Sequence, residues 1–154
     1  MINKKLVALA AATMVVSTLF VGCGGSNTEE SSTEGTSTGN NTVKTVEIPG
    51  EEDTTIVELT LENGTPVDVN IDTKNADGSM KSEASASGAY DMKNDGKIWH
   101  EQIDLLEDAI VENNFDLSKI NITDEAGHTD AVSGVSIKVK GYVDAVQEAL
   151  DQVK

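Results

Sequence analysis

The stretch that most limits the fold lies between Thr55 and Asp72. Val57, Leu59 and Leu61 alternate with Glu58, Thr60 and Glu62, and beyond Asn63-Gly64 the alternation resumes with Val67, Val69 and Ile71. A period of two places each apolar set on one face of a strand. Asn-Gly accepts positive φ at both central positions, as the two-residue turn of a β-hairpin requires. The spacing therefore predicts an antiparallel hairpin whose inward residues are Val57, Leu59, Leu61, Val67, Val69 and Ile71. Pro66 has no N–H to donate and fits the start of an edge strand.

A sheet with one apolar face needs a cover. Trp99, Ile103, Leu106 and Ile110 recur at helical spacing and predict an amphipathic helix over Lys97–Asn113. Tyr142, Val146, Ala149, Leu150 and Val153 predict a second helix over Val143–Val153. A strand at Met80–Ser87, a loop after it and a brief strand at Ile120–Ile122 complete the expected elements. The expected fold class is α+β: a small antiparallel sheet of about four strands with two packed helices. The domain is expected over 54–154, where roughly 100 residues suffice for one modest core.

Residues 24–53 are of another kind. Ser26–Thr42 contains Ser, Asn, Thr, Glu and Gly and no apolar side chain. Such a segment buries nothing that offsets its ordering entropy, so a disordered linker is expected, with an r.m.s. span of roughly 30 Å. Val43, Val46 and Ile48 leave room for a short strand at Thr42–Ile48, and the acidic run Glu51-Glu52-Asp53 reads as solvated linker charge. Ahead of the linker, Lys4 and Lys5 precede an apolar run, Leu6–Val21, shorter than the ~20 residues of a membrane-spanning helix. A positive start, a short apolar run and a small residue before a break describe a signal peptide over 1–22. The segment Phe20-Val21-Gly22-Cys23 resembles the bacterial lipobox, with Phe20 where Leu is usual. The resemblance implies lipidation at Cys23, a lipidated linker over 23–53, and a place on the outer face of the cytoplasmic membrane or the cell surface. Cys23 is the sole cysteine, so no disulfide forms within the chain. The net charge is −16 and there is no arginine. That excludes nucleic acid as a partner, because such binding rests on neutralising phosphates with Lys and Arg. It also leaves the lipid, rather than basic side chains, to hold the membrane.

Asp130-Ala131-Val132-Ser133-Gly134-Val135-Ser136, running into a helix, resembles the flavinylation motif of the FMN-binding domain family, Asp-x-x-Ser/Thr-Gly-Ala-Thr/Ser. The resemblance runs over about Thr54–Val153 and is tightest from Trp99 onward. Trp99–Gln102 through Ser136 is also similar to a group of clostridial and spirochaete membrane-anchored lipoprotein immunogens. The family implies FMN esterified through its phosphate to Ser136 by a flavin transferase, with Asp130, Ser133 and Gly134 presenting the acceptor. It further implies an electron carrier rather than a stand-alone enzyme, with a membrane quinol oxidase or dehydrogenase as donor. The chain departs from the motif at Val135, where the family has Ala. Two more methyl groups are then expected beside the acceptor hydroxyl.

The residues carry their own chemistry. Gly134 lets the backbone adopt unusual angles and approach a ligand closely. Ser133 and Ser136 offer hydroxyls to phosphate oxygens, and Lys138 and Lys140 bring positive charge into an acidic chain. A helix starting near Ser136 would direct N–H groups at a phosphate. The alternation of Val135, Ile137 and Val139 with Ser136, Lys138 and Lys140 instead reads as a strand, with the helix starting near Gly141. Trp99 and Tyr90 can stack on a flat ring or anchor a core. His100 and His128 sit in separate segments without zinc-ligand spacing. Asp91-x-Lys93-x-Asp95-Gly96 with Gln102 imitates a calcium loop but puts Lys93 and Gln102 where acceptors belong. No Ser-His-Asp order, phosphate-binding loop or dinucleotide fingerprint is present. The alternative reading is a flavin-free surface lipoprotein with a structural or binding role. A two-lobed substrate-binding lipoprotein would need a longer chain.

Overall fold

The structure, a computed structural model, describes residues 41–90, 93–94 and 97–154, the side chains of Lys93 and Asn94 aside. The signal peptide, Cys23 and residues 24–40 of the expected linker lie outside the described residues, as do Asp91, Asp95 and Gly96 of the calcium-loop imitation.

Three strands form an antiparallel meander in the order β1 (Asn41–Pro49), β2 (Asp53–Glu62), β3 (Thr65–Asn75). The predicted hairpin joins β2 to β3. Asn63 has φ 52° and Gly64 φ 80°, and Glu62 pairs with Thr65, the geometry of a two-residue turn that follows the strand twist. Val57, Leu59 and Leu61 are buried, with Val69 opposite Leu59 and Ile71 opposite Val57.

Three expectations need correction here. Val67 does not face inward but is 39 % exposed. Leu61 pairs with Pro66 and Thr60 with Asp68, so β3 carries one extra residue, a β-bulge that turns Val67 out. Residues 41–49 are not linker. They form β1, which pairs along its length with β2 and buries Val46 opposite Val57. The folded unit therefore includes Asn41–Pro49 rather than starting at 54. The acidic run is the β1–β2 turn, closed by the Gly50 N–H donating to Asp53 O at 2.7 Å. Finally, Met80–Ser87 is not a strand. Met80 makes one bridge to Lys74, and Lys81–Ala86 is a helix, α1. Its anchors are polar: the Ser82 N–H donates to Asp72 Oδ1 at 3.0 Å, the Ser82 hydroxyl bonds Asp72 Oδ2, and Ser85 Oγ accepts the His100 N–H at 3.2 Å. Hydrophobic periodicity does not register serines used in this way.

The two predicted long helices are present. A two-residue ladder, β4 (Lys93–Asn94) with β5 (Lys97–Ile98), leads into α2, Trp99–Glu112. Trp99, Ile103, Leu106 and Ile110 are all buried, each such side chain stabilising the fold by about 1.5–3 kcal/mol. At its start Glu101 Oε2 accepts the Ile98 N–H at 3.2 Å. It ends at Asn114 and Phe115, with φ 53° and 60°, where the Phe115 N–H donates to Ile110 O at 2.9 Å. A 3-10 turn, Leu117–Lys119, follows. The brief strand expected at Ile120–Ile122 reduces to one bridge, Ile122 to Thr129. The last helix, α3, spans Lys140–Asp151 and buries Val143, Ala145, Val146, Ala149 and Leu150. Helix α2 packs on β3, and α3 on β2 and β1. The result is the α+β architecture expected: one sheet face under two helices, with three long strands and the short β4–β5 ladder. Among the described residues, no helix is long and apolar enough to cross a membrane.

Candidate functional site

Trp99 begins α2, and Gln102 lies one turn further along the same buried face. Against this end of the helix runs the segment Val132–Val139. It opens with a turn in which the Val135 N–H donates to Val132 O at 3.2 Å and Gly134 has φ 85°. A side chain at Gly134 would meet Lys97 Cε at 2.8 Å and Leu105 Cδ1 at 3.2 Å, besides the strain of positive φ.

The segment then extends. Val135, Ile137 and Val139 enter the core, at 7, 3 and 0 % exposure, while Ser136 is half-buried and Lys138 exposed on the other side. The alternation is that of a strand, but its amides do not enter a sheet ladder. The Ser136 and Ile137 N–H groups donate to Gln102 Oε1 at 2.8 and 3.2 Å. The Val139 and Lys140 N–H groups donate to Gly127 O at 2.7 and 3.1 Å. One expectation changes with this, and the strand-like reading of the segment, with its late helix start, holds. The Val135 side chain packs into the core, whereas Ser136 faces the other side of the segment. Helix α3 starts only at Lys140, whose N–H is taken by Gly127, so Ser136 does not stand at a helix N-terminus.

A cleft of about 290 Å³ lies on the Ser136 side of the segment. Tyr90, Trp99 and Tyr142 give it aromatic walls, and Lys81 and Lys138 give it two cations; Ser136, Ile137 and His128 complete the lining. The Trp99 Nε1–H donates to Tyr142 Oη at 3.3 Å, with the rings edge to face at 6.1 Å and 66°. The Lys81 ammonium stands 4.9 Å from the Tyr90 ring centre and 5.2 Å from that of Trp99, within the range of a cation–π contact. Trp99 itself is 2 % exposed.

The loop before the segment is held by Asp124. Its carboxylate accepts from the Gly127 N–H at 2.8 Å, the His128 N–H at 3.0 Å and His128 Nδ1 at 2.7 Å. The His128 backbone bond, then its ring, favour the charged form and hold the Asp124 carboxyl down at about 2. Gly127 has φ 96°, and a Cβ there would lie 2.8 Å from Lys140 Cβ. This loop thus fixes both His128 at the cleft and the start of α3.

Of the residues singled out in the sequence, Ser136, Trp99 and Tyr90 meet in the cleft. Asp130 is exposed and accepts from Asn121 Nδ2 at 3.1 Å; Ser133 is exposed; neither lines the cleft. Gly134 and Val135 shape the segment from behind. His100 bonds Ser85 through Nδ1 at 3.1 Å, apart from His128. Among the described residues no group of His, Cys, Asp and Glu is disposed to hold a metal ion. Sequence reasoning passed over Lys81, His128 and Tyr142 as cleft residues, and Gln102 as the buried support behind Ser136. Gln102 did leave a signal, being a polar residue one turn from Trp99 on a stripe that is otherwise apolar. Lys81 left none, lying among Ser and Ala in a segment without periodicity.

No protein-family model matches the chain, and no curated protein matches it. It is similar to a protein from Clostridium thermocellum whose solution NMR structure is known. The two are 32 % identical with a TM-score of 0.51, over 75 % of this chain and 91 % of that one. The chain belongs to the same family as that clostridial protein.

Proposed function

We propose that the protein is an extracytoplasmic FMN-binding lipoprotein, anchored through Cys23, that carries electrons rather than catalysing a reaction alone. One observation carries the reading: a serine hydroxyl, two lysines and three aromatic side chains share one cleft in a chain of net charge −16. Cations gathered against the overall charge suit an anionic ligand, and aromatic walls suit a flat one. Ser136 lies where the family motif places the phosphate ester. Lys138 and Lys81 would balance phosphate charge, and Tyr90, Trp99 and Tyr142 would flank the ring system. At about 290 Å³ the cleft is near the small end of ligand sites, ~300–1,000 Å³, so part of an FMN-sized group would project towards partners. When bound, the flavin supplies the redox chemistry, and the chain supplies attachment, orientation and charge. A flavin transferase would make the bond, and a membrane quinol oxidase or dehydrogenase would deliver electrons. The linker would let the anchored domain reach both its donor and its acceptor.

Intact mass of the mature chain co-produced with a flavin transferase tests this. The expected result is the addition of one FMN less one water, a yellow colour that survives denaturation, and loss of both in Ser136→Ala. An unmodified wild type, or an adduct that persists in Ser136→Ala, overturns the assigned site. A second reading, a flavin-free surface lipoprotein, is favoured by the burial of Trp99 beneath Lys81. It predicts a colourless protein even from the native membrane.

A further inference from the structure

Gln102 is fully buried, and its two ends do different work. Its Oε1 accepts from the Ser136 N–H at 2.8 Å, the Ser136 hydroxyl at 3.2 Å and the Ile137 N–H at 3.2 Å. Its Nε2 donates to Lys97 O at 3.2 Å. The orientation of the carboxamide is fixed by these partners: two backbone N–H groups require an acceptor at one end, and a backbone carbonyl requires a donor at the other. Gln102 Oε1 can only accept, so in this contact the Ser136 hydroxyl is the donor. A hydroxyl has one proton and two lone pairs, so the lone pairs of Ser136 are what remain to meet anything entering the cleft.

That polarity separates two ways of holding a phosphorylated flavin. A phosphate bound without a covalent bond needs donors, and a serine whose proton is engaged elsewhere gives none. An oxygen that attacks phosphorus needs its lone pair directed at the phosphorus. We infer that Gln102 is the positioning residue for Ser136, holding the hydroxyl so that its oxygen faces the cleft as the attacking atom of phosphoester formation. This rests on the flavin-ester reading above. In the step, the Ser136 O–H bond is exchanged for an Oγ–P bond and the phosphoanhydride bond of a flavin dinucleotide breaks. The nucleoside monophosphate departs, and the proton passes to the transferase or to water. No electrons are gained or lost. Gln102 cannot remove the proton itself, since an amide oxygen is no base at neutral pH; it orients, and the transferase must supply the base.

The test compares the wild-type mature chain with Gln102→Met, Gln102→Asn and Gln102→Glu, each given transferase and flavin dinucleotide and followed by intact mass. Met fills the space without an acceptor, Asn draws the oxygen back by one bond, and Glu, kept protonated by burial, keeps an acceptor for Ser136 and a donor for Lys97 O. Misplacing a reacting atom by about 1 Å costs up to ~100-fold in rate. Met and Asn are therefore expected to lower the limiting rate by at least about tenfold, with the half-saturating protein concentration changed by less than about twofold. Gln102→Glu is expected to stay within about threefold of wild type. Thermal melts establish that each variant is folded at the assay temperature, and Asn carries the comparison if Met is not. Equal limiting rates in wild type, Met and Asn overturn the inference and leave the ester reading standing. A loss that lies wholly in half-saturation, or one that Glu does not rescue, makes Gln102 merely structural and also overturns it. A wild type that stays unmodified overturns the ester reading, and this inference with it.

Discussion

Strand β2 and the segment Val135–Val139 share one sequence pattern and meet different ends. In both, apolar residues alternate with polar ones, and in both the apolar set is buried: Val57, Leu59 and Leu61 in one, Val135, Ile137 and Val139 in the other. Strand β2 lies between β1 and β3, and its backbone bonds are those of two ladders. Among the described residues the segment has no strand beside it. Its amides are met one at a time, by the Gln102 side chain and by the Gly127 carbonyl. The same alternation thus builds a wall in one place and a cleft margin in the other. A ladder fixes every residue through many equivalent bonds, whereas single acceptors hold a strand-like segment and leave room for Ser136 and Lys138 to line a cavity. The difference predicts that the two regions fail differently.

The largest effect is expected in the wall. Leu59 is wholly buried in the central strand. Leu59→Ala should destabilise the fold by about 2–5 kcal/mol through lost burial and the cavity left behind, measured by denaturant unfolding. On the proposed function, flavin attachment to the fraction that remains folded should continue at the wild-type rate. A variant that keeps its stability would break the picture of a sheet-centred core.

The margin should fail at its hinge. Gly127→Ala meets positive φ and a 2.8 Å approach to Lys140 Cβ. A strained residue of this kind costs about 1–3 kcal/mol, less than the Leu59 cavity. Its consequence reaches further, because Gly127 O holds the start of α3 and its loop holds His128 at the cleft. On the same proposal, attachment at Ser136 is expected to slow in this variant even where melts show it folded. Stability loss with an unchanged attachment rate would show that wall and margin are not separate after all.

These contrasts also explain what the sequence made legible. The β2–β3 hairpin was readable because Asn63-Gly64 is a local signal and the alternation beside it is strict. Helix α2 was readable because four large apolar residues keep helical spacing. At Val135–Lys140 the alternation correctly placed Ser136 and Lys138 on one side, but whether a neighbouring strand exists is not a property of the segment. Gln102 sits over thirty residues away in the chain, and its bonds to Ser136 are tertiary. Helix α1 was misread because its anchors, Ser82 to Asp72 and Ser85 to His100, are polar contacts that carry no hydrophobic period. The Ser136–Trp99–Tyr90 grouping was legible only through the resemblance; Lys81 and Tyr142 join it by folding alone.

The open edge of the sheet supplies a pH test. Along β3, the Val69, Ile71 and Thr73 N–H groups donate to Asp68 at 3.1 Å, Glu107 at 2.6 Å and Asp72 at 2.7 Å. These carboxylates do at the edge what Gln102 does for the segment. Glu107, from α2, is pushed up to about 8, chiefly by burial; the Ile71 N–H opposes the shift, and the negative charges of Asp104, Asp68 and Asp108 add to it. A carboxyl raised in the folded state binds more protons folded than unfolded between its ordinary value near 4.5 and about 8. Stability should therefore fall as pH rises through that window. Glu107→Gln keeps an oxygen for Ile71 and removes the titration. Its stability should be flatter from pH 4.5 to 8 and should exceed that of wild type at the upper end. An unchanged slope would mean that the charge on Glu107 is carried in the folded state without penalty.

The smallest effect is expected at the residue that broke the alternation. Val67 belongs by spacing to the inward set, yet the bulge opposite Thr60 leaves it 39 % exposed. If the bulge, and not the hydrophobic pattern, decides its environment, then Val67→Thr changes stability by less than about 0.5 kcal/mol, as surface substitutions do. Thr keeps the β-branched shape that suits a strand, so the substitution alters polarity and little else. A cost of 2 kcal/mol or more, of the order of burying a valine side chain, would mean that β3 runs in the regular register with Val67 inward. That register would move Pro66 and Thr65 relative to Glu62 and open the two-residue turn. The bulge and the turn are therefore tested together, and a near-silent Val67→Thr is the result that supports both.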